Sequence, residues 1–311
     1  MSKQISTLLS RGLQVLRKHG LAVFLSKIYQ RTMPAGFLNI SKSVLKPSGL
    51  LDEVQEIAFG GERVTHLYAN DLYYAHLSIY WFASKFVKDK IVLDAGCGDG
   101  YGTHYLAEQG TKQITGIDVS RVAIDACQKH YVRSNLRYQR MDLAKIDGFD
   151  SNSIDLVFSS NALEHVASVK DFFDTCYEIL TTEGEVIIAV PPVVDELSRN
   201  ANISNPYHLN IWTPAQWKFA LSLYFDDIQC YTHAPKNSGA QLNFANTPEQ
   251  TTIRENDFEF RQIQLDAYYR EPSANLTIIF LASKPRPKMV IPDYFSRMPM
   301  IDDSFTREFS S

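Results

Sequence analysis

The run Ile91-Val-Leu-Asp-Ala-Gly-Cys-Gly-Asp-Gly-Tyr-Gly102 restricts the fold more than any other part of the chain. A short apolar strand enters a turn with glycine at 96, 98 and 100. Glycine there lets the backbone turn sharply and lets a ligand approach without a Cβ in the way. The helix that follows offers N–H groups lacking intrahelical partners in its first turn. Strand, glycine turn and helix start together form the opening unit of a nucleotide-binding α/β sheet. Dinucleotide sites use G-x-G-x-x-G, however, and Tyr101 stands where their last glycine would be. Asp94, just ahead of the first glycine, would repel a pyrophosphate and tolerate a cationic group.

Downstream, strand and helix patterns alternate. Apolar runs predict strands over 90–95, 113–118, 136–141, 154–159, 184–190, 226–231 and 275–283. Helices are expected over 100–109, 120–130 and 169–180, with Ser120 as an N-cap. Thr213-Pro214 reads as N-cap and first helical residue of a helix running to about 223. Such alternation predicts a mostly parallel sheet with helices on both faces. Residues 234–272 read as polar and irregular. Four segments are expected: a basic helical extension and linker at 1–50, a helical lid at 51–89, the sheet domain at 90–285, and an irregular tail at 286–311.

Charge is unevenly spread. Residues 1–51 carry Lys3, Arg11, Arg17, Lys18, Lys27, Arg31, Lys42 and Lys46 and no acid, while the chain as a whole is at −4. The remainder is therefore acidic, which disfavours nucleic-acid partners. Leucines and isoleucines recur at helical spacing over 3–18 and again over 21–31. Residues 1–31 thus pair an apolar stripe with a basic face, suited to an anionic membrane surface, to the body of the protein, or to a second copy of the chain. A mitochondrial transit segment is a further reading. No apolar run approaches the roughly 18 residues of a membrane span. Cys97, Cys127, Cys176 and Cys230 are scattered, as suits buried thiols in a reducing cytosol.

Three further motifs follow the glycine turn. Ile114-Thr-Gly-Ile-Asp118 ends a strand on an acid, 24 residues after Asp94. An acid there can accept both hydroxyls of a ribose. Arg140-Met-Asp142-Leu143 ends the next strand on another acid, which could accept from an adenine amine. Ile154-Asp-Leu-Val-Phe-Ser-Ser-Asn161-Ala-Leu-Glu164-His165-Val sets polar groups at the carboxyl end of the fourth strand, where open α/β sheets bind ligands.

Taken together, residues 90–192 resemble a class I S-adenosyl-L-methionine-dependent methyltransferase of the group with "LDxGCGxG" and "ALEHV" signatures. The resemblance implies a Rossmann-like, doubly wound, mostly parallel sheet of seven strands with the last antiparallel. It implies that Asp94, Gly96, Cys97 and Gly98 cradle the methionine part of the cofactor. Asp118 and Val119 would hold the ribose, Asp142 and Leu143 would flank the adenine, and Asn161 would lie near the methionine end. A narrower likeness joins Phe59-Gly-Gly-Glu-Arg63, Tyr74-Ala-His-Leu-Ser-Ile-Tyr80 and Cys97-Gly-Asp-Gly-Tyr-Gly102. These are similar to motifs of methyltransferases encoded with bacterial surface-polysaccharide genes, although Ala75 and Ile79 replace the usual Glu and Arg. That likeness implies O-methylation of a saccharide or a lipid-linked glycan. A quinone or other small metabolite is the alternative acceptor, and a non-catalytic cofactor-binding partner the alternative role.

His208 and His165 are the candidates for general base or acceptor contact. Glu62, Arg63, Tyr68 and His76 are candidates for a lid over the cofactor or, equally, for a helix packed on the sheet edge, and Trp212 and Trp217 for an acceptor pocket or for helix packing. Tyr80, Trp81 and Phe82 read as core. No metal site is expected, with a cation held by Glu164 and another carboxylate as the alternative.

Overall fold

Alternate residues of the central strands face opposite sides of one sheet, and this divides the core in two. In the computed structural model, which describes residues 64–66, 69–205, 207–237, 242–244, 246–270 and 275–287, the sheet has eight strands. These are β1 (Ile91–Ala95), β2 (Gln113–Asp118), β3 (Leu136–Arg140), β4 (Ile154–Ser160), β5 (Leu180–Val190), β6 (Phe225–Pro235), β7 (Phe258–Ile263) and β8 (Thr277–Pro285). Their spatial order is β3-β2-β1-β4-β5-β8-β6-β7. Pairs from β3 to β5 are parallel, and β8 runs antiparallel to both β5 and β6. The chain leaves β1 toward β2 and returns on its other side as β4, which opens a crevice at the carboxyl ends of the two strands.

Helices cover both faces. Val92, Leu156, Phe158, Ile187 and Ile279 pack under α1 (Asp71–Ala83), α2 (Tyr101–Glu108) and α3 (Arg121–His130). Leu93, Val157, Ile188 and Phe280 pack under α4 (Val169–Ile179) and α6 (Pro214–Ser222), where Phe172, Phe173 and Trp217 are buried. Strands buried on both faces carry apolar residues at nearly every position, which is why they were legible as continuous runs. Ser120 accepts from the Ala123 N–H, and Thr213 forms a capping box with Gln216, so both expected helix starts are present.

Two expectations need correction. The stretch 234–272 is not irregular throughout: β7 forms an edge strand paired antiparallel with β6. Its Phe258 and Phe260 pack inward while Glu259 and Arg261 leave the other face polar and Gln262 is exposed, so the segment reads as hydrophilic. The sheet therefore has eight strands rather than seven. An additional helix, α5 (Glu196–Ile203), buries no residue and so has no apolar stripe to announce it. The short α7 (Leu265–Arg270) precedes β8.

The start of α1 is tied to the insertion. Asn70 caps the helix by accepting from the Tyr73 N–H, and its amide donates to the Phe244 carbonyl at 2.9 Å. The Asp71 carboxylate accepts from the Asn243 N–H at 3.0 Å, from the Asn246 amide at 2.8 Å, and from the Thr251 hydroxyl. The helix expected as part of a lid is packed on the sheet, with Tyr80 and Phe82 buried and Trp81 half-buried against Phe260. Residues 1–50, Glu62, Arg63, Tyr68 and residues 288–311 lie outside the described residues.

α2 approaches α1 so closely at Gly102 that an added Cβ would lie 2.2 Å from the Tyr80 ring. Gly102→Ala is expected to destabilise the fold by about 1–3 kcal/mol, the usual range for overpacking. Urea denaturation measures it, and an unchanged midpoint would contradict the tight crossing.

Candidate active site

The glycine turn is shaped by what surrounds it. Gly96 has φ +90°, and a Cβ there would sit 2.4 Å from the Cβ of Ala162. Gly98 has φ +52°, and a Cβ there would meet nothing within 4 Å, so this part of the turn borders open space. The N–H groups of Gly96 and Cys97 both donate to the Ile117 carbonyl, at 2.8 and 2.9 Å. Cys97 is buried and its carbonyl accepts from the Gly100 N–H, so this residue shapes the turn rather than lining the crevice with its side chain.

Asp118 clamps the turn from the end of β2. Its carboxylate accepts from the Gly98 N–H at 3.1 Å and from the Ser120 N–H at 2.9 Å. Val119, next in sequence, is 59% exposed, an unusual position for valine beside a crevice.

Asp94 lies beneath the turn with no solvent exposure. Thr103 donates to its Oδ2 at 2.6 Å, while Oδ1 has no hydrogen-bond partner. The Tyr80 hydroxyl also stabilises the carboxylate, although without a well-formed bond to Oδ1. Burial pushes the Asp94 carboxyl up to about 7, against the opposing effects of Thr103 and Tyr80. A buried carboxylate with an unsatisfied oxygen is costly unless a positive charge comes near it.

The other cofactor candidates fall along the same edge. Leu143 is buried against the glycine turn, its Cδ1 3.6 Å from the place of a Gly96 Cβ. Asp142 is exposed and accepts from the Ala144 N–H at 2.9 Å. Asn161 turns the chain out of β4 with φ +49°, and its N–H donates to the Ala189 carbonyl. The structure thus gathers Asp94, Gly96, Gly98, Asp118 and Asn161 around the ends of β1, β2 and β4, with Val119, Asp142 and Leu143 beyond β2 and β3.

A second cluster lies past Asn161. His165 and His208 meet edge to face, with ring centroids 4.9 Å apart. Nδ1 of His165 is 2.9 Å from the Tyr207 carbonyl, and Nδ1 of His208 is 2.8 Å from Oδ1 of Asn202. Asn202, Asn210 and Thr103 carried no signal in the sequence, because their roles depend on the fold alone. Trp212 and Trp217 do not line a pocket. Their rings pack at 4.5 Å in the core between α6 and the sheet, so the acceptor-pocket reading of these two is withdrawn.

Residues 93–188 match the model of the family described as "Methyltransferase domain". Over this span the chain is similar to methyltransferase domains. A probable S-adenosylmethionine-dependent methyltransferase of Mycolicibacterium smegmatis is 25% identical over 150 residues, which cover 48% of this chain and 57% of that protein. A ubiquinone biosynthesis O-methyltransferase of Psychrobacter cryohalolentis is 31% identical over 104 residues, or 32% of this chain and 40% of that protein. The structure of a SAM-dependent methyltransferase from Archaeoglobus fulgidus superposes with a TM-score of 0.51 at 20% identity, covering 74% of this chain and 97% of that one, and so shares the fold. The chain spans only 57% and 40% of the two curated relatives' lengths.

The geometry fits S-adenosyl-L-methionine as the cofactor. A glycine turn with no room for a side chain at Gly96 lies over a buried carboxylate that favours a cation, and the Asp118 carboxylate borders the same turn. Ligand affinity should therefore rise with pH as Asp94 ionises near 7. Isothermal titration with S-adenosylmethionine from pH 6 to 8 is expected to show this rise in the native chain and a flatter profile in Asp94→Asn. Parallel profiles would contradict the role of the carboxylate.

Proposed function

We propose that the chain transfers the methyl group of S-adenosylmethionine to a hydroxyl of a saccharide or lipid-linked glycan. The observation that carries this reading is the buried Asp94 beneath the glycine turn, a setting hostile to pyrophosphate and suited to a sulfonium-bearing amino acid. The cofactor supplies an activated methyl group on a good leaving group. Gly96 and Gly98 hold its methionine part, Asp118 and Val119 its ribose, Asp142 and Leu143 its adenine, and Asn161 its reactive end. What remains for the protein is mainly alignment of donor and acceptor.

The acceptor hydroxyl must lose its proton as its oxygen takes the methyl group. His165 and His208 stand on the acceptor side, beyond Asn161, and imidazole is the side chain that manages such a proton near neutral pH. The saccharide acceptor is supported by the motifs at 59–63, 74–80 and 97–102. A quinone or small-metabolite acceptor is the second reading, supported by the similarity to the ubiquinone biosynthesis O-methyltransferase.

His208→Ala is expected to lower methyl transfer by about 10²–10⁴-fold, the range for a lost proton-transfer group, with cofactor affinity unchanged. Radiolabelled transfer to glycan, lipid and quinone fractions reads out both rate and acceptor class. Full activity of the variant would remove His208 from the chemistry, and label confined to quinones would overturn the saccharide reading.

Residues 1–31 fit a peripheral contact with an anionic membrane, in keeping with a lipid-linked acceptor. No helix among the described residues is long and apolar enough to cross a membrane. Flotation with anionic liposomes is expected for the full chain and not for a chain lacking residues 1–35. Equal flotation of both would refute docking through this segment.

A further inference from the structure

We propose that Glu164, His165 and His208 bind a borderline first-row divalent cation, Zn²⁺ or Fe²⁺, on the acceptor side of the crevice. The inference rests on the methyl-transfer reading for its role but not for its geometry. Each of the three residues offers one ligand atom, and these atoms lie within 4.8 Å of one another. Nε2 of His165 is 4.0 Å from Oε1 of Glu164. Metal bonds of about 2.0–2.1 Å set tetrahedral ligands about 3.3 Å apart. Side-chain rotation therefore has to close the cluster by about 1.5 Å at most.

The orientation of the rings is the second, independent observation. Nδ1 of His165 faces a backbone carbonyl, and Nδ1 of His208 faces an amide oxygen. Oxygens of both kinds only accept, so each Nδ1 carries the proton and each Nε2 carries the lone pair. Metal-binding histidines are held in this way, with the far nitrogen donating to a carbonyl or carboxylate. Asn202 is itself fixed, since its amide donates to the Ser198 carbonyl at 2.8 Å.

The two segments that supply the ligands are stitched together. The Glu164 carbonyl accepts from the N–H groups of Leu209 at 2.7 Å and Asn210 at 2.9 Å. The Asn210 amide donates to the carbonyls of Leu163 at 2.8 Å and Val166 at 2.7 Å. His208 is therefore held against the Glu164–His165 turn before any ligand arrives, the preorganisation that a metal site requires. Two imidazoles with one carboxylate suit zinc or ferrous iron, whereas magnesium and calcium prefer oxygen ligands. Three protein ligands leave a position for the acceptor oxygen. With the metal in place the two imidazoles act as its ligands and not as the base: a hydroxyl bound there becomes more acidic and releases its proton to water, so its oxygen meets the methyl group as an anion.

The test uses the full chain, stripped with a chelator and dialysed against Zn²⁺, with bound metal measured by elemental analysis. S-adenosylmethionine affinity is measured in parallel as a check on folding. One zinc per chain is expected, with affinity at least tenfold weaker in Glu164→Gln and in His208→Ala while both still bind the cofactor. Should the buried Glu164 tolerate no change, His208→Ala on its half-buried loop carries the test. Cobalt(II) substitution should give visible absorption bands that His208→Ala alters. A chain that binds the cofactor but takes up no zinc, or whose uptake is the same in His208→Ala and His165→Ala as in the native chain, overturns the site. Zinc uptake without cofactor binding would leave the site standing and remove the methyl-transfer reading instead.

Discussion

The approach of Gly96 to Ala162 governs the whole carboxyl edge of the sheet. With 2.4 Å between the place of a Gly96 Cβ and the Cβ of Ala162, no side chain fits there. The backbone of β1 is thereby brought against the segment leaving β4, and the turn folds back to bond with the Ile117 carbonyl at the end of β2. Gly98 then reaches the Asp118 carboxylate. One close contact thus sets the glycine turn and the acid of β2 in register with each other. Ala162 also begins the short stretch that carries Glu164 and His165, so the glycine turn and the cluster of Glu164, His165 and His208 share a wall.

The electrostatics of this edge follow from burial. Removing a carboxylate from water costs several kcal/mol unless hydrogen bonds or a counter-charge offset it. Thr103 supplies one strong bond to Asp94, and Oδ1 is left without one. Such a group selects among ligands by charge: an anionic pyrophosphate adds repulsion in a low-dielectric setting, whereas a cation relieves it. The difference between a dinucleotide site and this one therefore lies in a side chain that never reaches the surface.

Much of the scaffold was legible in the sequence because its signals are local. Strands buried on both faces read as apolar runs, and Ser120 and Thr213-Pro214 mark helix starts by their own hydrogen-bonding chemistry. The glycine turn, Asp118 and Asn161 were legible for the same reason, since each follows directly from the end of a strand. Edge strand β7 was not, because polar residues interrupt its apolar positions and its pairing with β6 spans the intervening insertion. Nor was the packing of Trp212 and Trp217, which a single strand or helix pattern cannot place. Asn202 meets His208 from α5, and Asn210 pins the turn that carries His165 through the carbonyls of Leu163 and Val166; nothing in their spacing announces either.

The most direct measurement of the central claim is a crystal structure of the chain with S-adenosylmethionine bound. The account predicts the methionine moiety over Gly96 and Gly98, the ribose on the Asp118 carboxylate, and the sulfonium turned toward His165 and His208. Density for the ligand elsewhere, or a crevice between β1 and β4 closed by side chains with the cofactor present in excess, would contradict it.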